Sequence, residues 1–182
     1  MTKLPLSAVI LLLLAAVPSR VQAQREGPSV EYGVMIGASR YDLSGTTTGT
    51  SLGTGFTGTG FSFKAGITIP VVRRVVFLEP SLGFLSSTTQ FGHHTAWMFP
   101  ELTVQAQQRI GLARPYLGVG LGAGTPGLSG PARWKFTMLG LGGVRVHLAG
   151  RWGVRGEVRV RSVDPWNGHT TDFGVGFTHS SF

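Results

Sequence analysis

The sequence contains no cysteine and few charged residues. Asp, Glu, Lys and Arg make up only 13 % of its 182 residues, roughly half of the quarter that is typical of a soluble domain. The absence of cysteine excludes a disulfide framework, a cysteine-ligated zinc site, a cysteine nucleophile and a lipid attached through cysteine. The hydrophobic content of 42 % is too high for a disordered chain.

Long apolar runs are also scarce, since only the N-terminus carries one. Lys3 precedes an apolar stretch from Leu4 to Val17, and the small-residue site Val21-Gln22-Ala23 follows it. This order is typical of a secretory signal peptide, and the stretch is shorter than the about 20 residues of a membrane-spanning helix. We therefore predict a cleaved signal peptide over residues 1–23 and a mature domain over residues 24–182. Any membrane span of the mature domain must then be made of strands.

Glycine is abundant instead, at 28 residues, and apolar residues after the leader recur at every second position. Such alternation is typical of strands with one apolar and one polar face, and no helical period accompanies it. Eight segments show it, an even number that is expected of bacterial single-chain barrels. They cover residues 29–42, 61–69, 76–84, 100–107, 115–123, 143–148, 154–161 and 172–178.

The connections between these segments alternate between short and long. Short breaks fall at 70–73, 108–111 and 149–151, and longer ones at 43–60, 86–95, 124–131 and 162–170. Transmembrane barrels have short periplasmic turns and longer outer loops. We therefore predict an all-β protein, an eight-stranded antiparallel up-and-down transmembrane β-barrel with its apolar face towards lipid and both termini in the periplasm. The alternative is a soluble secreted ligand-binding barrel with its apolar face inside.

The polar face carries charges that a narrow barrel interior must pair. A two-residue turn between the second and third segments places Lys64 opposite Glu79, and a three-residue turn between the sixth and seventh places Arg145 opposite Glu157. An anion-selective conduit lined by arginines is the alternative to a structural network that plugs the lumen. We predict the network, made of Lys64, Glu79, Glu101, Arg145, Arg155, Glu157, Arg159 and Arg161.

Four motifs carry a resemblance to a known family: Arg114–Gly124 (RPYLGVGLGAG), Gly142–Leu148 (GGVRVHL), Trp152–Val160 (WGVRGEVRV) and a closing strand that ends at Phe182. With them the mature chain resembles the outer-membrane β-barrel domain family, the small porin-like barrels of OmpA/OmpX type. The resemblance implies a barrel fold and a location in the bacterial outer membrane, and we expect a structural or surface-interaction role. It also implies that the barrel-assembly machinery reads Phe182 as the assembly signal.

Three places depart from simple alternation. Trp97 falls on the inward set, and residues 134–141 carry apolar side chains at both parities. Both observations predict a β-bulge or a shifted register. Phe182 has the opposite parity to Phe177, which predicts either an irregularity at 179–181 or a last strand that ends near Phe177.

Signals for catalysis are few. The spacing in His179-Ser180-Ser181 resembles that of lipid A deacylases, in which histidine activates a serine nucleophile and an acid orients the histidine, but no acidic residue follows it here. His93 and His94 are adjacent, and adjacent side chains of a strand point apart. We therefore expect no catalytic residue, no metal and no cofactor. An outer-membrane lipid-modifying enzyme is the alternative.

The expected partners follow from the membrane location. They are outer-membrane lipids and lipopolysaccharide, which Arg133 and Lys135 would meet at the outer rim, and the barrel-assembly machinery. Most arginines take inward positions instead of forming a patch interleaved with aromatics, so we expect no nucleic-acid partner. We expect a monomer. The Thr/Gly-rich loop at 43–60 is a candidate for surface contacts, although nothing in it specifies a ligand.

Overall fold

The chain forms a closed β-barrel. The computed structural model describes residues 30–43, 56–72, 75–89, 94–126, 134–163 and 168–181. Neighbouring strands pair antiparallel in chain order, and the first strand also pairs with the last. The prediction of an all-β, eight-stranded antiparallel barrel is therefore confirmed. The strands are β1 Glu31–Leu43, β2 Phe56–Val72, β3 Val76–Thr89, β4 His94–Gln107, β5 Ala113–Pro126, β6 Lys135–Ala149, β7 Trp152–Val163 and β8 Gly168–Ser180.

Apolar side chains cover the outside of the barrel. Val34, Ile67, Leu117 and Val158 lie on four different strands and are 49 %, 38 %, 48 % and 42 % exposed. Polar side chains fill the inside, where Glu79 is fully buried. A soluble barrel has the opposite arrangement, whereas hydrocarbon around the barrel favours this one. Within the described residues, no helix is both long enough and apolar enough to span a bilayer.

Strands extend beyond the predicted segments on the side of the outer loops. They are 12 to 17 residues long, more than the about 9–11 residues that cross a bilayer at a tilt. Because the ladders continue into Ser- and Thr-rich sequence, the intervals at 90–93 and 164–167 are as short as the turns on the other side. The predicted alternation of long and short connections is therefore wrong at these two places. The intervals at 44–55 and 127–134 remain longer.

The register of the β2–β3 hairpin differs from the prediction. β2 continues to Val72, so the turn falls later than predicted, and Lys64 lies opposite Gly83 instead of Glu79. A separate irregularity of one residue lies between Pro70 and Val72. The predicted direct cross-strand pairing is therefore wrong. The long lysine side chain nevertheless reaches the Glu79 carboxylate diagonally, with Nζ 2.9 Å from Oε1.

The β6–β7 hairpin also has a different register. A two-residue turn contains Gly150, whose φ of 59° lies in the left-handed region that favours glycine, and an irregularity follows His147. As a result Arg145 lies opposite Arg155, and Gly143 lies opposite Glu157. The predicted pairing of Arg145 with Glu157 is wrong, and other strands supply the carboxylates that neutralise Arg145.

The bulges expected near Trp97 and within residues 134–141 are absent from these described segments. Trp97 lies opposite Leu85 in a regular β3–β4 ladder. β6 keeps one register along β5 from Lys135 to Val146. The inward apolar residues of both strands have a packing role instead, because the barrel interior contains small apolar clusters.

The last strand is regular as well. β8 keeps one register with β1 up to the pair of Ser180 and Glu31. The strand does not end near Phe177, so that alternative is wrong. The predicted irregularity at 179–181 is absent at 179–180, and Ser181 lies beyond the end of β8. Phe182 and the predicted leader lie outside the described residues.

Candidate functional site

The barrel interior collects the charged side chains that the sequence pattern placed on the polar face. β7 contributes four of them, because every second residue of a strand faces the same way. Four other strands contribute one each. The buried set is Arg155, Glu157, Arg159 and Arg161 from β7, Lys64 from β2, Glu79 from β3, Glu101 from β4 and Arg145 from β6. The structure brings all eight residues together in one network of ion pairs.

Glu79 is the centre of the half of this network that lies nearer the described chain ends, Val30 and Ser181. Its carboxylate lies 2.9 Å from Lys64 Nζ, 3.2 Å from Arg145 Nη2 and 2.5 Å from Arg155 Nη1. The Thr68 hydroxyl donates a further hydrogen bond to it at 2.9 Å. Three cations and a hydroxyl therefore replace the water that this buried carboxylate loses.

Glu157 links the two halves of the network. It accepts hydrogen bonds from Lys64 Nζ at 2.8 Å and from the Tyr116 hydroxyl at 2.9 Å. It also pairs with its own strand neighbours on the same face, Arg155 and Arg159. Lys64 thus connects Glu157 with the Glu79 cluster.

The other half of the network is organised around Glu101 and Asp172. Glu101 forms ion pairs with Arg159 and Arg161. Arg161 continues to Asp172, which also accepts a hydrogen bond from Ser39. Side chains from β1, β4, β7 and β8 are joined in this way.

Several members of the network were not among the predicted site residues. Glu31 accepts hydrogen bonds at 3.0 Å from both Arg114 and Arg145, and Asp172 pairs with Arg161. Their inward parity was visible in the alternation. Their partners were not: Glu31 meets Arg145 across the lumen from a strand that is not its neighbour, and Asp172 meets Arg161 diagonally instead of directly across the ladder.

Tyr116 adds an aromatic surface to the same region. The guanidinium groups of Arg145 and Arg155 lie 4.9 and 4.8 Å from its ring centroid, within the range of cation–π attraction. Its hydroxyl accepts a hydrogen bond from Arg155 Nε at 2.5 Å. The ring also packs with Leu139 and Leu141, so it separates buried cations from an apolar wall.

An apolar cluster covers the network at the barrel end away from Val30 and Ser181. Leu85, Phe99 and Val163 pack together, with Trp97 against them. The Trp97 and Phe99 rings stack with centroids 5.9 Å apart, and the Arg161 guanidinium lies 4.8 Å from the Phe99 ring centroid. A cavity of about 30 Å³ beside Arg159 and Arg161 corresponds to the volume of about one water molecule.

The geometry provides little for catalysis. The His179 ring contacts Trp152 on the outer wall, with centroids 4.7 Å apart, and the Ser181 hydroxyl donates to the carbonyl of Val30 at 3.1 Å. These side chains are therefore engaged with other groups and not with each other. No cluster of three or more His, Asp or Glu side chains in the described part of the chain could hold a metal ion.

Comparison with known proteins gives a match in sequence to one family model. The model describes an outer membrane protein beta-barrel domain and matches residues 9–179. No curated protein matches the chain in sequence.

Solved structures share the fold at low sequence identity. Neisserial surface protein A is 14 % identical with a TM-score of 0.61, over 81 % of this chain and 96 % of that one. A de novo designed transmembrane β-barrel is 10 % identical with a TM-score of 0.53, over 87 % and 100 %. Ail, the attachment invasion locus protein of Yersinia pestis, is 13 % identical with a TM-score of 0.50, over 83 % and 98 %. These similarities support the barrel architecture.

Proposed function

The chain belongs to the outer membrane protein beta-barrel domain family, and from this premise we propose that it is a non-catalytic barrel of the bacterial outer membrane whose lumen is closed. Its role is structural or lies in contacts made by its outer loops. The observation that carries the proposal is the filled interior, in which the ion-pair network is covered by the cluster of Leu85, Phe99 and Val163.

The charge balance of the network favours a plug over an ion path. Among the described residues of the lumen, the ion pairs join six cations to five carboxylates, so nearly every charge of the network is neutralised by a neighbour. A conduit for anions needs arginines that can exchange partners with a passing ion. Here such an exchange would leave buried carboxylates such as Glu79 and Glu101 unpaired, which costs several kcal/mol each.

Planar-bilayer recording of the purified full chain tests the closed lumen. We expect the native chain to give the same conductance as a protein-free bilayer treated with the same detergent. A variant that removes the apolar cover and one arginine, Phe99→Ala with Arg161→Ala, is the comparison, and we expect it to leak more than the native chain. Steady large conductance steps from the native chain would contradict the proposal and support the anion conduit.

The location and maturation complete the proposal. We propose cleavage after Ala23, periplasmic termini, a monomer, and assembly through recognition of Phe182 by the barrel-assembly machinery. N-terminal sequencing of the membrane-extracted protein should start at Gln24.

Protease treatment of intact cells should cut in the interval 44–55, since a loop that faces the medium is accessible. Protection of that interval in intact cells would contradict the orientation.

The lipid-modifying enzyme is the alternative to a protein without activity, and it has a direct test. Overproduction of the native chain and of Ser181→Ala, followed by mass spectrometry of lipid A, should give the same acyl-chain pattern for both. Loss of acyl chains with the native chain alone would establish an activity.

A further inference from the structure

The outer wall of the barrel carries an apolar groove of about 720 Å³. The proposed function assigns no role to this groove. Trp152 and His179 line one end of it, and Pro100 lines the other. Trp152 is the first residue of β7, directly after the turn at 150–151, whereas Pro100 lies in the middle of β4. The groove therefore runs obliquely from the periplasmic rim to the middle of the wall.

Small and flat side chains form the floor of the groove. Ala65 lies on the outward face of β2, and Pro80 and Pro100 lie on β3 and β4. Pro80 has no N–H to donate, and the β2–β3 ladder runs to the pair of Gly66 with Ser81 and resumes at the pair of Ile69 with Leu78. A methyl group and two proline rings thus leave a depression between larger apolar side chains.

The rim end of the groove is polar as well as aromatic. Tyr32 and Trp152 both lie opposite His179 in the sheet, so the three rings form one row across β1, β8 and β7. Each ring is amphipathic and brings an O–H or N–H donor, and such side chains concentrate at membrane interfaces.

The groove presents no negative charge to the membrane among its described lining residues. Glu101 touches it, but its carboxylate is turned into the lumen, where it pairs with Arg159 and Arg161. The rim end of the groove can therefore bind an anionic group, and the remaining apolar surface of the groove can bind hydrocarbon.

We propose that this groove binds one glycerophospholipid of the periplasmic leaflet. Its phosphate lies at the row of Tyr32, His179 and Trp152, and one acyl chain follows the floor past Ala65 and Pro80. The groove has hydrogen-bond donors at the rim and apolar surface towards the middle of the wall. A phospholipid of that leaflet has its headgroup and its acyl chains in the same order. Its volume lies within the about 300–1,000 Å³ of small-molecule sites.

Native mass spectrometry of the delipidated full chain, titrated with phosphatidylglycerol, tests the proposal. We expect the native chain to retain one lipid. Ala65→Leu fills the floor without touching the lumen, and we expect it to weaken retention by about tenfold or more, which corresponds to about 1.4 kcal/mol. Ala106→Leu adds the same bulk at an outward position of β4 outside the groove lining, and should bind like the native chain.

A second filling variant and a second lipid complete the experiment. Pro80→Leu is a second filling variant, so that poor folding of Ala65→Leu, seen as lost heat-modifiable gel migration, does not end the test. Diacylglycerol with the same chains lacks the phosphate and should bind more weakly than phosphatidylglycerol. Native-like retention by a folded filling variant would overturn the groove as the site, and equal retention of diacylglycerol would overturn the assignment of the phosphate.

Discussion

Arg155 and Glu79 form a bidentate ion pair across the lumen. Arg155 Nη1 donates to Glu79 Oε2 at 2.5 Å, and Nη2 donates to Oε1 at 3.2 Å. The two residues lie on β7 and β3, which are opposite each other in the closed order of eight strands. The pair therefore connects two parts of the wall that share no backbone ladder. Charge-assisted bidentate pairs are among the strongest hydrogen-bonded contacts in proteins.

Removal of the Glu79 carboxylate should destabilise the barrel strongly. Glu79→Ala leaves the buried cations Lys64, Arg145 and Arg155 facing one another, and breaking a buried ion pair costs about 3–5 kcal/mol. The free energy of unfolding is measured by urea unfolding of the chain in lipid vesicles. The folded fraction at each urea concentration is read from heat-modifiable gel migration. Ser86→Ala, at an exposed outward position, is the control and should behave like the native chain. A loss below about 1 kcal/mol for Glu79→Ala would contradict the network's role.

The same assay should show that Glu79 and Arg155 act together. Replacement of both by leucine removes one cation together with one carboxylate, so the charge balance of the lumen is kept. The double variant should therefore lose less stability than the sum of the single variants, with a coupling of about 1–3 kcal/mol. Strict additivity would mean that the observed contact has no energetic consequence.

Glycines on the two faces of the wall should respond differently to alanine. A Cβ at the inward Gly120 would lie 2.6 Å from the Leu102 carbonyl oxygen, whereas a Cβ at the outward Gly156 would meet nothing within 4 Å. We expect Gly120→Ala to lose about 1–3 kcal/mol through overpacking. Gly156→Ala should be neutral or gain about 0.4–1 kcal/mol, because it restricts the unfolded chain. Equal effects in urea unfolding would show that the inner face of β5 is not tightly packed.

A charge on the outer wall should have a cost that depends on depth. Val119 lies in the middle of β5 and Val71 near the periplasmic end of β2, and both are exposed. Val119→Arg should destabilise the folded chain in vesicles by about 2–4 kcal/mol, and Val71→Arg by about 0–1 kcal/mol. A pair of equally mild effects would indicate that water, not lipid, surrounds Val119.

Parity was sufficient to predict the strands and their faces but not their register. Alternation alone distinguishes the two faces of a strand, so the outward position of Val34 and the inward position of Glu79 could be inferred. Register depends on where the turn falls, and β2 runs on to Val72 before the turn, so the partner of Lys64 is four residues away from the expected one. The position of the turn leaves no clear mark in the sequence, because Val71, Val72, Val75 and Val76 make it apolar on both sides.

Contacts across the lumen could not be predicted from the pairing of strands within hairpins. Glu31 meets Arg145, although β1 and β6 are not neighbours in the sheet. The reach of such a pair depends on barrel stagger and side-chain length, neither of which the alternation determines. Similarly, the inward Leu139 and Leu141 looked like a register fault, whereas they pack with Tyr116.

The central claim is that apolar side chains face hydrocarbon around a closed, charged interior. Nuclear Overhauser contacts between lipid acyl chains and methyl groups of the native chain in lipid nanodiscs test it without any substitution. We expect contacts to the methyls of Val34, Ile67, Leu117 and Val158, and none to those of Leu85, Leu139 and Leu141. Lipid contacts to the second set and not to the first would contradict the account.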